Sequence, residues 1–497
     1  MAIRNDTSPY DVVIRGGRVI DPESGLNDVR DVGLSGDRIA AVSVDGLTGR
    51  RILDARGLVV APGFIDLHSH GQTIGERRLQ ALDGVTTALE LEAGAAPVSV
   101  AYARAAAEGR PINYGFSASW AVLRRRVLTG EPLPGASDGP LDNLGSEDWR
   151  APATRVQLAT ILGSLDRELA DGALGIGVLL GYAPAIDPAE PLAVARLAAA
   201  ADVPMFTHAR PLVEQVPDVV VDGAEELTRL AIETGVHLHY CHINSTSTRH
   251  LDRAQSLVES ARAAGAEVST EVYPYGAGMT SIGSDYFHPE KLHILGATGT
   301  PPDVIYARTG ETIATAERLR YLRAADPSGL AFIRSFDEDG ASDRLASILA
   351  LPQAAVASDA VPLVVDGVHS FDPSQWPLPG FVRTHPRSAG TFARTLRIIR
   401  ETGVLTLAEA VAKCTLRPAR ILERVAPAIR RKARVQAGCD ADLVVFDAER
   451  VTDTATYQYS TRPSTGFVHV IVNGEAVVSD GVLREHLLPG RPLRGRG

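Results

Sequence analysis

Eight short apolar runs punctuate residues 63–360, and helix-like stretches rich in Ala, Leu, Arg and Glu separate most of them. The runs read GFIDLHSH, TTALELEAG, INYGFSASW, LGIGVLLGY, PMFTHAR, VHLHYCHIN, EVSTEVYPYG and AAVASDA. The intervening stretches include PVSVAYARAAAEG, TRVQLATILGSLDRELADG and EELTRLAIETG. Short apolar runs of this kind are strands buried on both faces, and alternation with helices calls for a parallel sheet. Eight such units close into a barrel. An open doubly wound sheet would want a glycine fingerprint after its first strand, and GFIDLHSHG has none. The expected fold class is therefore α/β, a (β/α)₈ barrel of the TIM type.

Both ends of the chain have a different texture. YDVVIRGGRVIDP, DVGLSGDRIAAV and RILDARGLVVAPG near the start, and DADLVVFDAERV and GFVHVIVNGEAVVSDG near the end, are short β-type runs broken by Gly, Asp and Pro. They predict a small β-sandwich assembled from residues 1–62 and 425–497, flanking a barrel over 63–424. A chain of 497 residues suits that division. The interval between the seventh and eighth runs is too long for one crossover and predicts an insertion over 285–351. The interval over 121–150 is also long, and rich in Pro, Gly and Asp.

Composition removes several classes of function. A net charge of −10 disfavours nucleic acid and anionic membrane as partners. Three cysteines without a CxxC pair fit a reducing compartment. No apolar signal segment opens the chain and no run of about 18 apolar residues occurs. A cytoplasmic protein acting on a small molecule is expected, with homo-oligomerisation left open.

The polar residues at the ends of the runs carry the chemistry. His68 and His70 close the first run, and their spacing puts both imidazoles on one strand face. Such a pair suits a divalent cation of the zinc type. His208 ends the fifth run, His242 the sixth and Asp359 the eighth. Barrel closure brings strand ends together, so these five residues predict a metal site at the barrel mouth. Glu90 and Glu92 alternate on the second run, and two inward acids in an apolar barrel require a cation or donors. Glu92, nearer the strand end, is the favoured ligand and Glu90 its support. Alternation along VHLHYCHIN sets His242 on the face opposite His239 and Cys241. That makes His239 the competing ligand and Cys241 a packing residue.

These motifs resemble the amidohydrolase superfamily, and within it the D-aminoacylase or N-acyl-D-amino-acid deacylase branch. APGFIDLHSHG looks like the branch's HxH strand, THAR and CHIN occupy its two single-His positions, and GCDADLVVFD resembles the superfamily's terminal motif. VYPYGAG and HPRSAGTFAR are similar to branch segments. The resemblance implies one or two Zn²⁺ ions bound by His68, His70, Glu92, His208 and His242, and cleavage of a linear amide. Asp359 would take a proton from the attacking water and pass it to the leaving nitrogen. Arg387, with Arg383 close behind, would hold the substrate carboxylate. Tyr182 would donate to a carbonyl or carboxylate, with Tyr273 and Tyr275 donating likewise or packing. Three positions depart from the pattern. ELEAG stands where the branch carries a bridging cysteine, Asn244 stands where it commonly has lysine, and none of the three lysines lies on a barrel run. A cyclic-amide hydrolase of the hydantoinase or dihydroorotase kind, and a metal-free scaffold, are the alternative readings.

Overall fold

A computed structural model describes residues 9–130, 141 and 144–496. Eight parallel strands form its central sheet: β1 (Phe64–Asp66), β2 (Val85–Ala95), β3 (Asn113–Ser119), β4 (Ile176–Leu179), β5 (Met205–His208), β6 (Leu238–Tyr240), β7 (Val268–Val272) and β8 (Ala355–Val356). Each pairs with its successor in the sequence, in the order expected from the eight apolar runs. The intervening helices start on sequence signals. Thr73 with Glu76 and Thr154 with Gln157 form reciprocal capping boxes at two of them.

The barrel seam lies between β8 and β1. Strand β8 spans only two residues, so its ladder alone holds little. Closure is completed beyond it by a bridge between Ser69 and Ala360, where the His70 N–H donates to the Ala360 carbonyl at 2.7 Å. Asp66 adds a side-chain staple. Its carboxylate accepts the Ser358 backbone N–H at 2.9 Å and the Ser358 hydroxyl. Burial pushes the Asp66 pKa up to about 6, against the opposing pull of those hydrogen bonds.

Strands from both ends of the chain share one nine-stranded sheet. Its junction is the antiparallel pairing of Val59–Pro62 with Leu443–Phe446. The sheet curls, since Ile39 near one end exchanges backbone hydrogen bonds with residues 438 and 439. Its enclosed core joins Val32, Leu34 and Ile39 to Leu443, Ile471 and Ala476. The terminal DADLVVFD motif ties this sheet to the barrel. Asp442 accepts from Lys432 Nζ at 2.5 Å, from Asn113 Nδ2 at 2.9 Å and from the Asn473 backbone N–H at 2.6 Å.

A third sheet, of four strands, lies between β7 and β8. It begins at Ala277, ahead of the expected boundary at 285, because Ala277–Ser281 pairs antiparallel with Leu330–Arg334. That pairing draws the YPYGAG segment into the insertion. Of the long interval over 121–150, residues 131–140, 142 and 143 lie outside the described residues. Among the described residues, no helix is long and apolar enough to cross a membrane.

Candidate metal centre

Closure of the barrel gathers the polar run ends into one buried cluster at the C-terminal mouth. Ligand-type atoms of His68, Glu92 and His242 lie within 4.8 Å of one another, as do those of His68, His70 and Asp359. Glu92 is central. Its Oε1 lies 2.8 Å from His242 Nε2 and 3.0 Å from His208 Nδ1, and its Oε2 lies 3.2 Å from His68 Nε2. Glu90 sits behind, accepting from His70 Nδ1 at 2.9 Å and from the Ala93 and Gly94 backbone N–H groups at 3.3 Å. Both acids of TTALELEAG thus face inward.

The hydrogen bonds around the His-x-His pair define its chemistry. His68 Nδ1 lies 2.6 Å from Glu271 and His70 Nδ1 lies 2.9 Å from Glu90. A carboxylate accepts, so each Nδ1 carries the proton and each Nε2 is left with a lone pair. Those two Nε2 atoms face each other at 3.0 Å. Two lone pairs at that separation repel unless positive charge lies beside them. Without a cation, protons supply it. Burial opposes charge on His70, but Glu90 and Asp359 outweigh it and raise its pKa to about 9; burial opposes charge on His68 too, but Glu92, Asp359 and Glu271 hold its pKa well above the ordinary value. Burial likewise opposes ionisation of Glu92, yet His68, His242 and His208 hold its carboxyl well below the ordinary range. His242 Nδ1 is buried and has no hydrogen-bond partner. The donor set is four imidazoles and a carboxylate converging in a charge-demanding pocket, and it fits a dication of the zinc type.

Alternation fails at the end of β6. The strand stops at Tyr240, and His242 takes a left-handed backbone with φ +29°. His242 therefore shares the site with His239 and Cys241 instead of opposing them. His239 Nε2 lies 3.0 Å from Glu271 Oε2, and Cys241 forms a compact group with His68 and Glu271. Asp359 is also left-handed, at φ +50°. Such backbone costs about 1–3 kcal/mol per non-glycine residue and concentrates where geometry serves function.

Asp359 Oδ1 lies 3.4 Å from His68 Nε2 and 3.5 Å from His70 Nε2. Its other oxygen takes Arg387 Nη2 at 2.8 Å, and its backbone carbonyl accepts from Arg387 Nε at 2.6 Å. The guanidinium thus clamps the candidate base, stacked 4.8 Å from the Tyr273 ring centroid. Burial resists a charged Asp359, but Arg387 and His68 hold its pKa below the usual carboxylate value. Replacing Arg387 by Met is expected to raise that pKa, moving the acid limb of a pH–rate profile to higher pH. It should also lower stability by about 3–5 kcal/mol, the cost of stranding a buried charge. Rate profiles and urea melts of the variant check both.

The remaining sequence candidates are placed differently. The Tyr182 hydroxyl donates to Thr280 Oγ1 at 2.8 Å, while its ring lies 4.8 Å from His208. Tyr275 points to the Pro386 carbonyl at 3.4 Å with Arg394 over its ring, a packing position. Arg383 pairs through its backbone with Val364, and the structure does not bring it into the cluster. Asn244 uses its whole amide on the Tyr273 backbone, donating to the carbonyl at 3.1 Å and accepting the N–H at 3.3 Å.

The amidohydrolase family model matches residues 59–477. The chain belongs to the amidohydrolase family. It is 30% identical to the N-acyl-D-glutamate deacylase of Alcaligenes xylosoxydans xylosoxydans, covering 97% of this chain and 96% of that one. It is 28% identical to the D-aminoacylase of the same organism, over 95% and 96% of the two chains. The crystal structure of the Bordetella bronchiseptica N-acyl-D-glutamate deacylase, complexed with zinc and a phosphonate mimic of the tetrahedral intermediate, superposes with a TM-score of 0.75. That likeness has 25% identity and covers 98% of this chain and 99% of the other.

Reading the sequence of this amidohydrolase missed Glu271. It bridges His68 and His239 and is held below the ordinary carboxyl range by those imidazoles, against the effect of burial. A signal was present, for an acid midway along the apolar run EVSTEV cannot be buried without partners. Asp66 in GFIDLHSH carried the same signal, and it marks the barrel seam.

Proposed function

We propose that this amidohydrolase binds one or two Zn²⁺ ions through His68, His70, Glu92, His208 and His242, and removes the acyl group from N-acyl-D-amino acids with Asp359 as general base and acid. The confrontation of the His68 and His70 Nε2 atoms at 3.0 Å, each with its Nδ1 committed to a carboxylate, carries this reading. Such a cation, when bound, lowers the pKa of water from about 15.7 toward roughly 7 and polarises a carbonyl oxygen. Asp359, kept ionised by Arg387, accepts the proton of a water at the cluster and returns it to the leaving amide nitrogen. Arg387 Nη1 is buried without a partner, which supports this donor as the seat of the substrate carboxylate. The two relatives and the zinc-bound neighbour support the deacylase assignment and the D configuration.

Zinc-loaded protein assayed against N-acetyl-D- and N-acetyl-L-amino acids, hydantoins and dihydroorotate tests the reading. Release of free D-amino acids is expected; turnover confined to the cyclic amides would replace it with the hydantoinase-like alternative. Protein without zinc affinity would instead favour the scaffold. We further propose a division into residues 1–62 with 425–497 and a barrel over 63–424, a cytosolic location, and no nucleic-acid partner; the acidic charge and three buried free cysteines support the last two.

Zinc uptake should depend on pH. His70 keeps its proton up to about pH 9 in the metal-free protein, and a protonated imidazole cannot ligate. Apparent affinity is therefore expected to rise with pH toward 9, with protons released on binding. Chelator-competition titrations from about pH 6 upward to that value measure this, and a flat profile would contradict it.

A further inference from the structure

Tyr286 belongs to none of the motifs read above. It lies in the 3-10 turn Asp285–Phe287 of the insertion, buried, with its hydroxyl 3.0 Å from His208 Nε2. The other ring nitrogen of His208 faces inward: Nδ1 lies 3.0 Å from Glu92 Oε1, the oxygen that His242 Nε2 approaches at 2.8 Å. A neutral imidazole carries one proton. Without a cation Nδ1 can donate to the Glu92 carboxylate, but with a cation between them Nδ1 must offer a lone pair, so the proton sits on Nε2, and a buried N–H needs an acceptor.

We propose that Tyr286 is a positioning residue for the strand-β5 side of the cation site: its phenol oxygen accepts the proton of His208 Nε2 and so fixes the tautomer that turns Nδ1 toward Glu92 and His242. The inference rests on the cation site proposed above. It adds that the insertion, remote in sequence from His208, sets how that residue binds metal.

The surroundings are built to hold this contact. Asp285, next to Tyr286, is pinned by Arg150 Nη1 at 2.9 Å and Lys291 Nζ at 2.8 Å. The Tyr182 ring stands edge-on to Tyr286, with centroids 5.4 Å apart and planes at 88°. Gly181 leaves the space in which the Tyr286 hydroxyl and His208 meet. A Cβ there would lie 2.3 Å from the Tyr286 hydroxyl, 2.4 Å from His208 Cδ2 and 2.6 Å from the Ala209 carbonyl oxygen. The carbonyl is backbone and cannot move aside, so a side chain at 181 would displace the tyrosine or the histidine.

The test is Zn²⁺ affinity of the full-length protein, stripped with chelator and titrated against a chromogenic competitor. Y286F is expected to bind Zn²⁺ about 10- to 100-fold more weakly than wild type, the range for losing an outer-shell partner of a metal-bound histidine. D285N, which loosens the turn and leaves the phenol in place, should show a smaller loss in the same direction and serves if Y286F does not fold. Co²⁺ loading gives a readout that a purely structural role would not move, and the visible d–d bands of both variants should shift from those of wild type. Wild-type affinity in the variants, or weaker binding with unchanged Co²⁺ bands, would overturn the proposal. Wild-type protein that binds no Zn²⁺ would overturn the cation site itself, so the two failures are distinct.

Discussion

Asp359→Asn is expected to cut turnover by about 10³-fold or more while leaving zinc content near that of wild type. General acid–base catalysis contributes about 10²–10⁴-fold, and Asp359 is asked to act twice, taking a proton from water and giving it to nitrogen. A loss of about 10³ corresponds to about 4 kcal/mol of barrier. The introduced amide would preserve the shape and one acceptor for Arg387 Nη2, now 2.8 Å from the carboxylate. The variant therefore isolates proton transfer from the architecture of the clamp. Elemental analysis alongside kcat separates the outcomes. Retained activity would remove Asp359 from the mechanism, and a parallel loss of metal would show that it acts instead as a ligand.

Glu92→Gln is expected to produce the complementary result, with metal lost first and activity in consequence. Glu92 is the carboxylate around which His68, His208 and His242 converge, with both oxygens in use. Gln removes the negative charge and turns one oxygen into a donor facing those imidazoles. Apparent zinc affinity should fall by at least about 100-fold, the upper end for losing a mere outer-shell partner. Normal affinity in E92Q would mean that the four histidines suffice, and would leave Glu92 without the role proposed for it. The comparison of D359N with E92Q is also informative as a pair. One should keep the metal and lose chemistry, and the other should lose both.

Much of the barrel was legible because parallel strands buried on both faces are apolar throughout. A polar residue ending such a run is therefore conspicuous, and His68, His70, His208, His242 and Asp359 were found that way. The inward facing of Glu90 and Glu92 was legible for the same reason. What eluded the sequence had specific causes. Alternation was carried past Tyr240 to His242, although a strand's period of two holds only while the backbone stays extended, and at His242 φ is +29°. Glu271 was passed over because an acid inside a run reads as an interruption until its partners are known. Its partners come from elsewhere in the barrel, His68 from just past β1 and His239 from β6. That Arg387 also holds Asp359, 28 residues away, through Nε and Nη2 is a contact no local pattern announces.

The boundary between the two kinds of information follows from what each residue can report alone. Strand count, strand order, the mouth of the barrel and the residue types gathered there follow from local hydrophobic pattern, because burial acts on each segment separately. Which nitrogen of each imidazole faces the cluster, which acid supports and which stands at the centre, and that Tyr286 reaches His208 from the insertion are decided only by the tertiary structure. Tautomers and charge states depend on partners a few ångströms away in space and tens to hundreds of residues away in the chain, and no local pattern encodes those distances.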